Sequence, residues 1–319
     1  MRELLRDMPV GVPDDCLLAR IRGRRAFLVK EWDPLLLSPG QLAALPAAPW
    51  RPEMPSGHAG RIWRALQREY AWVWGCMEET LRRAVLPLFW LAEVRTLAIW
   101  LRRRTGGRDS GEDLLEGSLL TDGLKRKLRG ATGVAAAVEL LAKALVASEP
   151  AFARLPETYR RGGTGAVEET LTDISLQRFA AVPHHPVMDR FVSLLIDGRN
   201  LASLAKQLRW HLPSLLPFLP GGSIRVSTLE GLFARRDAAG TAQLAARLAG
   251  GEGGGEGGAV ERWVREAQGR ALHRMVRQPD VVAAVIDYLW RCGNEGRNLG
   301  LLARLPVAGS AAVGTEICR

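Results

Sequence analysis

The chain of 319 residues carries only four cysteines, at 16, 76, 292 and 318. None forms a C-x-x-C pair or stands near a histidine that would complete a zinc site. Scattered in this way, they predict reduced thiols in a cytoplasmic protein and no disulfide framework. Histidine is scarce too, with five in all. His184-His185 lies between two prolines, in an extended turn that points adjacent rings in different directions, and it predicts an exposed loop. His58, His211 and His273 stand singly, and none has a carboxylate one helical turn away to make an acid–base dyad. No serine or cysteine lies in a Gly-x-Ser-x-Gly elbow, and no Gly-Lys-Ser/Thr run occurs. The glycine run 250–258, broken only by Glu252 and Glu256, follows no strand and reads as a flexible loop, not a dinucleotide fingerprint. These absences predict no catalytic, cofactor-binding or metal-binding residues. Apolar runs fall short of the ~20 residues that cross a bilayer; the richest, Gly133 to Ser148, contains Glu139 and Lys143. The N-terminus, Met1-Arg2-Glu3-Leu4-Leu5-Arg6-Asp7, has acids and no apolar signal core, which predicts that the protein is not secreted.

Against these absences, 47% of the residues are hydrophobic and ten are tryptophan, enough for several packed cores. The formal charge of +10 invites a polyanion or acidic partner, but most arginines alternate with acids or sit on helical faces, as in Arg20 to Arg25 and Arg102-Arg103-Arg104. No convincing period-2 stretch is present, and helical spacing dominates. One or two helices are expected between Asp14 and Leu37. A connector containing Pro46, Pro49, Pro52 and Pro55 follows, with Ser56 as a helix cap. The spacing of Ile62, Trp63, Leu66, Tyr70, Val73, Met77, Leu81 and Leu88 predicts a long helix from Arg61 to about Arg104, kinked at Pro87 and stopped by Gly106-Gly107. Residues 109–117 read as a surface loop, and helices are expected over Leu119–Leu128 and Val134–Leu145. Arg160-Arg161-Gly162-Gly163 reads as a turn before a helix starting near Ala166. Later helices are expected over Val187–Trp210, Val260–Val276 and Val281–Leu305.

One short pattern occurs three times: Glu93-Val94-Arg95-Thr96-Leu97, Asp197-Gly198-Arg199-Asn200-Leu201 and Glu295-Gly296-Arg297-Asn298-Leu299. Each is followed five residues after its leucine by a cation: Arg102, Lys206 and Arg304. Intervals of 104 and 98 residues are too long for a solenoid repeat and match three small domains, 1–107, 108–212 and 213–319. More than the pentad recurs. Gly117-Ser118-Leu119 returns as Gly222-Ser223-Ile224, and Gly165-Ala166-Val167-Glu168 as Gly258-Ala259-Val260-Glu261. On a helix, Asp197 and Asn200 share a face with Leu201 and Leu204, while Arg199 points elsewhere. A carboxylate and an amide sunk among leucines need hydrogen-bond partners, so the pentads are expected to clamp a loop to the helix bundle.

These pentads, together with Tyr288-Leu289, Pro220-Gly221-Gly222-Ser223-Ile224 and the N-terminal Leu17-Leu18-Ala19-Arg20-Ile21-Arg22, give the chain its family likeness. It resembles the central-stalk C/d-type family of V-type and A-type rotary ATPases over most of its length. It departs from the family pattern at Thr96, which replaces the usual Asn, and at Gly198 and Gly296, which replace apolar residues. The resemblance implies an all-α fold of three tandem similar domains, arranged as a funnel with pseudo-threefold symmetry. It also implies a non-catalytic role without cofactors, linking the rotating shaft subunits to the membrane proteolipid ring from the cytoplasmic side, with contact to the membrane surface and no nucleic acid. Two other classes compete: a basic helical nucleic-acid-binding protein, and a helical enzyme using His184-His185.

Overall fold

The computed structural model describes residues 1–9, 11–37, 59–106, 112–249, 260–277 and 280–302, together with Leu45, Ala48, Arg51 and Ile317. The proline-rich connector, Ser56, His58, Gly107, the glycine run 250–258, Arg304 and Cys318 lie outside these residues. The fold is all-helical: α1 Asp14–Arg25, α2 Asp33–Leu37, α3 Ala59–Cys76, α4 Glu79–Ala84, α5 Leu86–Thr105, α6 Glu112–Gly117, α7 Asp122–Arg129, α8 Val134–Leu145, α9 Leu155–Ala180, α10 Pro186–Arg209, α11 Val226–Ala234, α12 Ala238–Leu248, α13 Val260–Met275 and α14 Val281–Leu302. Among the described residues no strand forms, and the one extended pairing is a single bridge between Leu5 and Leu120. No described helix is long and apolar enough to cross a membrane.

The chain divides into two compact units, one formed by Met1–Asp14 and Gln67–His184, the other by Asp15–Leu66 and His185–Arg319. In the first unit α5 packs against α6, α8 and α9 around the fully buried rings of Trp74, Phe89, Trp90, Trp100 and Phe152. Trp90 donates its indole N–H to Ser175 Oγ at 2.9 Å, which fixes α5 on α9 at a buried point. Residues 4–9 lie along this core. Arg82 is 3% exposed and donates to the carbonyls of Trp74, Met8 and Pro9, so a buried guanidinium substitutes for strand pairing and holds the segment down. In the second unit α10 packs against α11, α12, α13 and α14. Its Leu201, Leu204 and Leu208 join Leu229, Leu232, Phe233, Ala245 and Val264 in one apolar cluster.

Several boundaries differ from the sequence expectations. The long pattern from Arg61 is cut into α3, α4 and α5, and the break precedes Pro87 instead of falling on it. Pro87 sits in the first turn of α5, where its missing N–H has no intrahelical acceptor to lose. Residues 112–117 form a helical turn in place of the expected loop. Helix begins at Leu155, ahead of the expected start near Ala166, and the Gly162-Gly163 element is a kink inside α9. Gly163 takes φ 65° and ψ −159°, a conformation that side chains resist. His184 and His185 are half-buried and do not form an exposed loop. His184 packs edge-on against Phe179, with centroids 5.7 Å apart, and His185 Nδ1 accepts the Val187 N–H to cap α10.

Candidate functional site

Each pentad lies on a helix and turns its acid inward. Glu93 on α5, Asp197 on α10 and Glu295 on α14 are 3%, 1% and 3% exposed. Leu97, Leu201 and Leu299 are buried on the same faces, whereas Arg95 is exposed and Arg199 and Arg297 are half-buried. A 3.6-residue period produces this division: positions 1, 4 and 5 of the pentad fall inside and position 3 falls outside.

The second pentad makes the most complete clamp. Asp197 Oδ2 accepts the Ser223 N–H at 3.1 Å and its hydroxyl at 2.5 Å, and Oδ1 accepts the Ile224 N–H at 3.0 Å. One turn along α10, Asn200 pairs with the backbone of Leu219 in both directions, donating to its carbonyl and accepting from its N–H at 2.8 Å each. The loop before α11 is thus bonded to α10 at two points five residues apart. Gly222 is required by closeness: a Cβ there would stand 2.2 Å from Asp197 Oδ1.

The first pentad repeats the geometry with one substitution and one compensation. Glu93 Oε1 accepts the Leu119 N–H at 2.8 Å, and Leu119 corresponds to Ile224 in the recurring Gly-Ser-apolar block. Leu114, five residues earlier as Leu219 is before Ile224, has its carbonyl held by Gln67 Nε2 at 3.0 Å, and the same nitrogen donates to Thr96 Oγ1 at 3.2 Å. Threonine is too short to reach the Leu114 carbonyl on α6, and the amide missing at position 96 is supplied by Gln67 on α3. Sequence reasoning missed Gln67, although a glutamine within the apolar stripe of α3 was a signal for it. Lys125, 4% exposed, braces the end of α6 and the residue after it by donating to the carbonyls of Glu116 and Ser118 at 3.1 and 2.7 Å. Burial raises the Glu93 carboxyl from its ordinary 4.5 to about 7, opposed by the Leu119 N–H and the nearby Lys125, Arg6 and Ser118. Burial also lowers the Lys125 ammonium to about 8, helped by Arg6.

The third pentad grips a partner far away in sequence. Glu295 Oε2 accepts the Val29 N–H at 2.9 Å, while Oε1 meets Arg51 Nε and Nη2 at 2.9 and 2.7 Å. Arg51 and Glu295 are a buried ion pair, with side chains 5% and 3% exposed. Arg51 also donates to the Phe27 carbonyl, which ties both ends of segment 27–29 to α14. The two glycines that depart from the resembled pattern have a steric reason. A Cβ on Gly198 would stand 2.6 Å from Val264 and 2.8 Å from Gln268, and one on Gly296 would stand 2.8 Å from Leu66 and 3.1 Å from Ile62. Both positions are where a neighbouring helix approaches closely.

Beside the third clamp, segment 25–32 and helices α13 and α14 enclose a cleft of about 740 Å³. Among the described residues no group of three or more His, Cys, Asp or Glu side chains is placed to hold a metal ion. Compared with known proteins, the chain matches no family model and no curated sequence. The three pentad acids are carboxylate-to-backbone clamps on α5, α10 and α14.

Proposed function

We propose that this chain is a non-catalytic central-stalk component of a V/A-type rotary ATPase. In this reading it links the rotating shaft to the membrane proteolipid ring and couples ATP hydrolysis or synthesis to the passage of ions, protons being the expected ion. It works on the cytoplasmic side, attached peripherally through the complex, and its three repeats form a funnel about a pseudo-threefold axis. The observation that carries the reading is the threefold clamp. Glu93, Asp197 and Glu295 stand at matching places in the recurring pattern, and each binds the backbone N–H of a separate segment. The ordered resemblance of motifs along most of the chain supports it as well. Such a part requires stiffness instead of an active site, and densely packed helices pinned by buried hydrogen bonds deform little under torque. Arginines facing the membrane would each add on the order of 1 kcal/mol of attraction to anionic headgroups.

The test is affinity purification of the chain from its own cells in mild detergent, with identification of everything that accompanies it. A proteolipid, a larger membrane subunit and Walker-A catalytic subunits are expected. Recovery of nucleic acid alone, with affinity falling steeply as salt rises, would replace this reading with the nucleic-acid one.

A further inference from the structure

We propose that the cleft beside the third clamp is a binding site for a small polyvalent phosphate anion. Three elements bring cations to it: Arg25 and Lys30 from the clamped N-terminal segment, Arg265 and Arg270 from α13, and Arg291 from α14, with His273 at the edge. Three carboxylates line the same space, Glu266, Asp287 and Glu295. Glu295 is already matched from behind by Arg51. Arg25 and Arg291 share Asp287, and Arg270 meets Glu266 at 3.4 Å, so these three cations and Lys30 face two carboxylates, and a concave site with an excess of one sign concentrates the opposite ion.

The cations are held in place. Asp287, 1% exposed, contacts Arg25 Nη2 at 3.1 Å and Arg291 Nε at 3.0 Å, so one buried carboxylate orients two guanidinium groups and leaves a net positive charge. Arg291 Nη2 lies 3.2 Å from His273 Nδ1, which holds a second nitrogen on the same edge and leaves Nη1 available. A guanidinium steadied from behind keeps donors for an oxyanion without losing much side-chain entropy on binding. Lys30 is exposed and adds an ammonium to the lining. The indole Nε1 of Trp290 is buried without an acceptor beside Gly269, which places no side chain over it, and this spare donor sits on the wall of the cleft. The volume lies in the range of small-ligand pockets. Compact size and converging planar cations favour phosphate oxygens, either from free pyrophosphate or from the phosphates of a nucleotide.

The experiment is calorimetric titration of the full chain with inorganic pyrophosphate and, separately, with ADP, in buffer whose ionic strength is held constant with sodium chloride. Saturable binding is expected for at least one of the two. ADP binding more tightly than pyrophosphate identifies a nucleotide as the source, and the reverse order identifies the free anion. Lys30→Glu with Arg270→Glu changes two exposed side chains that hold no buried carboxylate, and should weaken binding by roughly tenfold or more. Arg190→Glu with Arg274→Glu, at a different cleft of the same unit, should leave it unchanged. Circular dichroism identifies any variant that fails to fold. Absence of saturable binding by both probes, or equal affinity in the Lys30/Arg270 variant, would overturn the proposal. Because no rotary partner is needed, failure here is distinct from failure of the stalk reading.

Discussion

Replacing Asp197 by asparagine exchanges one oxygen for an NH2 group and changes little else in size, so it isolates the clamp. In the native chain the two oxygens receive two backbone N–H groups and one hydroxyl. Asparagine keeps one acceptor and turns a donor toward a donor on the other side. A hydrogen bond to a charged acceptor contributes about 1.5–3 kcal/mol, and a buried N–H left without an acceptor costs about 1–3 kcal/mol. Ser223 is exposed on its outer side, so water recovers part of that loss. The expected cost is about 2 kcal/mol for asparagine and about 3 kcal/mol for alanine, large beside the roughly 0.5 kcal/mol scatter of surface changes. Urea unfolding measures the total, and hydrogen exchange at the Ser223 and Ile224 amides places the effect, since those two should lose protection first. If D197N leaves both the midpoint and those two amides as in the parent, the carboxylate is not what holds the loop.

Glu295→Gln should cost more, about 3–5 kcal/mol, because it leaves the Arg51 guanidinium buried without its carboxylate. Adding Arg51→Met should restore part of that loss in thermal unfolding. Gln67→Ala should cost about 2 kcal/mol, and Thr96→Asn in the same chain should recover some of it by placing an amide where Asn200 has one. Denaturant midpoints of the two single variants and the double variant check this, and equal midpoints for Q67A and the double variant would refute the compensation. Glu93 gives a pH signature. Its folded pKa of about 7 lies above the ordinary 4.5, so the folded state binds more protons between those values. The Glu93 contribution to stability is therefore fully present below about pH 4.5 and is lost as pH rises through 7, by about 3 kcal/mol in all. Lys125, lowered to about 8, acts in the opposite sense above that window. Thermal unfolding from pH 5 to 7 should show the slope in the native chain and a flatter one in Glu93→Gln; parallel slopes would refute it.

The inward acids of the pentads were legible in the sequence because a carboxylate three and four residues from an amide and a leucine has only one sensible face. Their targets were legible where the Gly-Ser-apolar block recurs, at Leu119 and Ile224. Val29 was not legible, because segment 27–29 lacks that block and lies 266 residues from Glu295. The α8 limits Val134 and Leu145 follow from a clean amphipathic run after Gly133. By contrast, α12 was not anticipated. Its stretch is rich in alanine, and its start depends on Asp237, whose side chain accepts the Gly240 N–H at 2.7 Å, a local bond that composition does not announce. The Pro87 boundary was misjudged because a proline inside an apolar period signals a kink and a helix start equally well.

The bond between Val29 and Glu295 also sets an order of events at the ribosome. The segment around Val29 is made 266 residues ahead of its acceptor, which at roughly 5–20 residues per second is a wait of about 13–50 s. Throughout that interval Leu28 and Trp32 have no finished surface to lie against, while residues 67–184, made in between, can close their own core first. A newborn chain of this protein is therefore exposed around Val29 until α14 arrives, and chaperone binding should concentrate there.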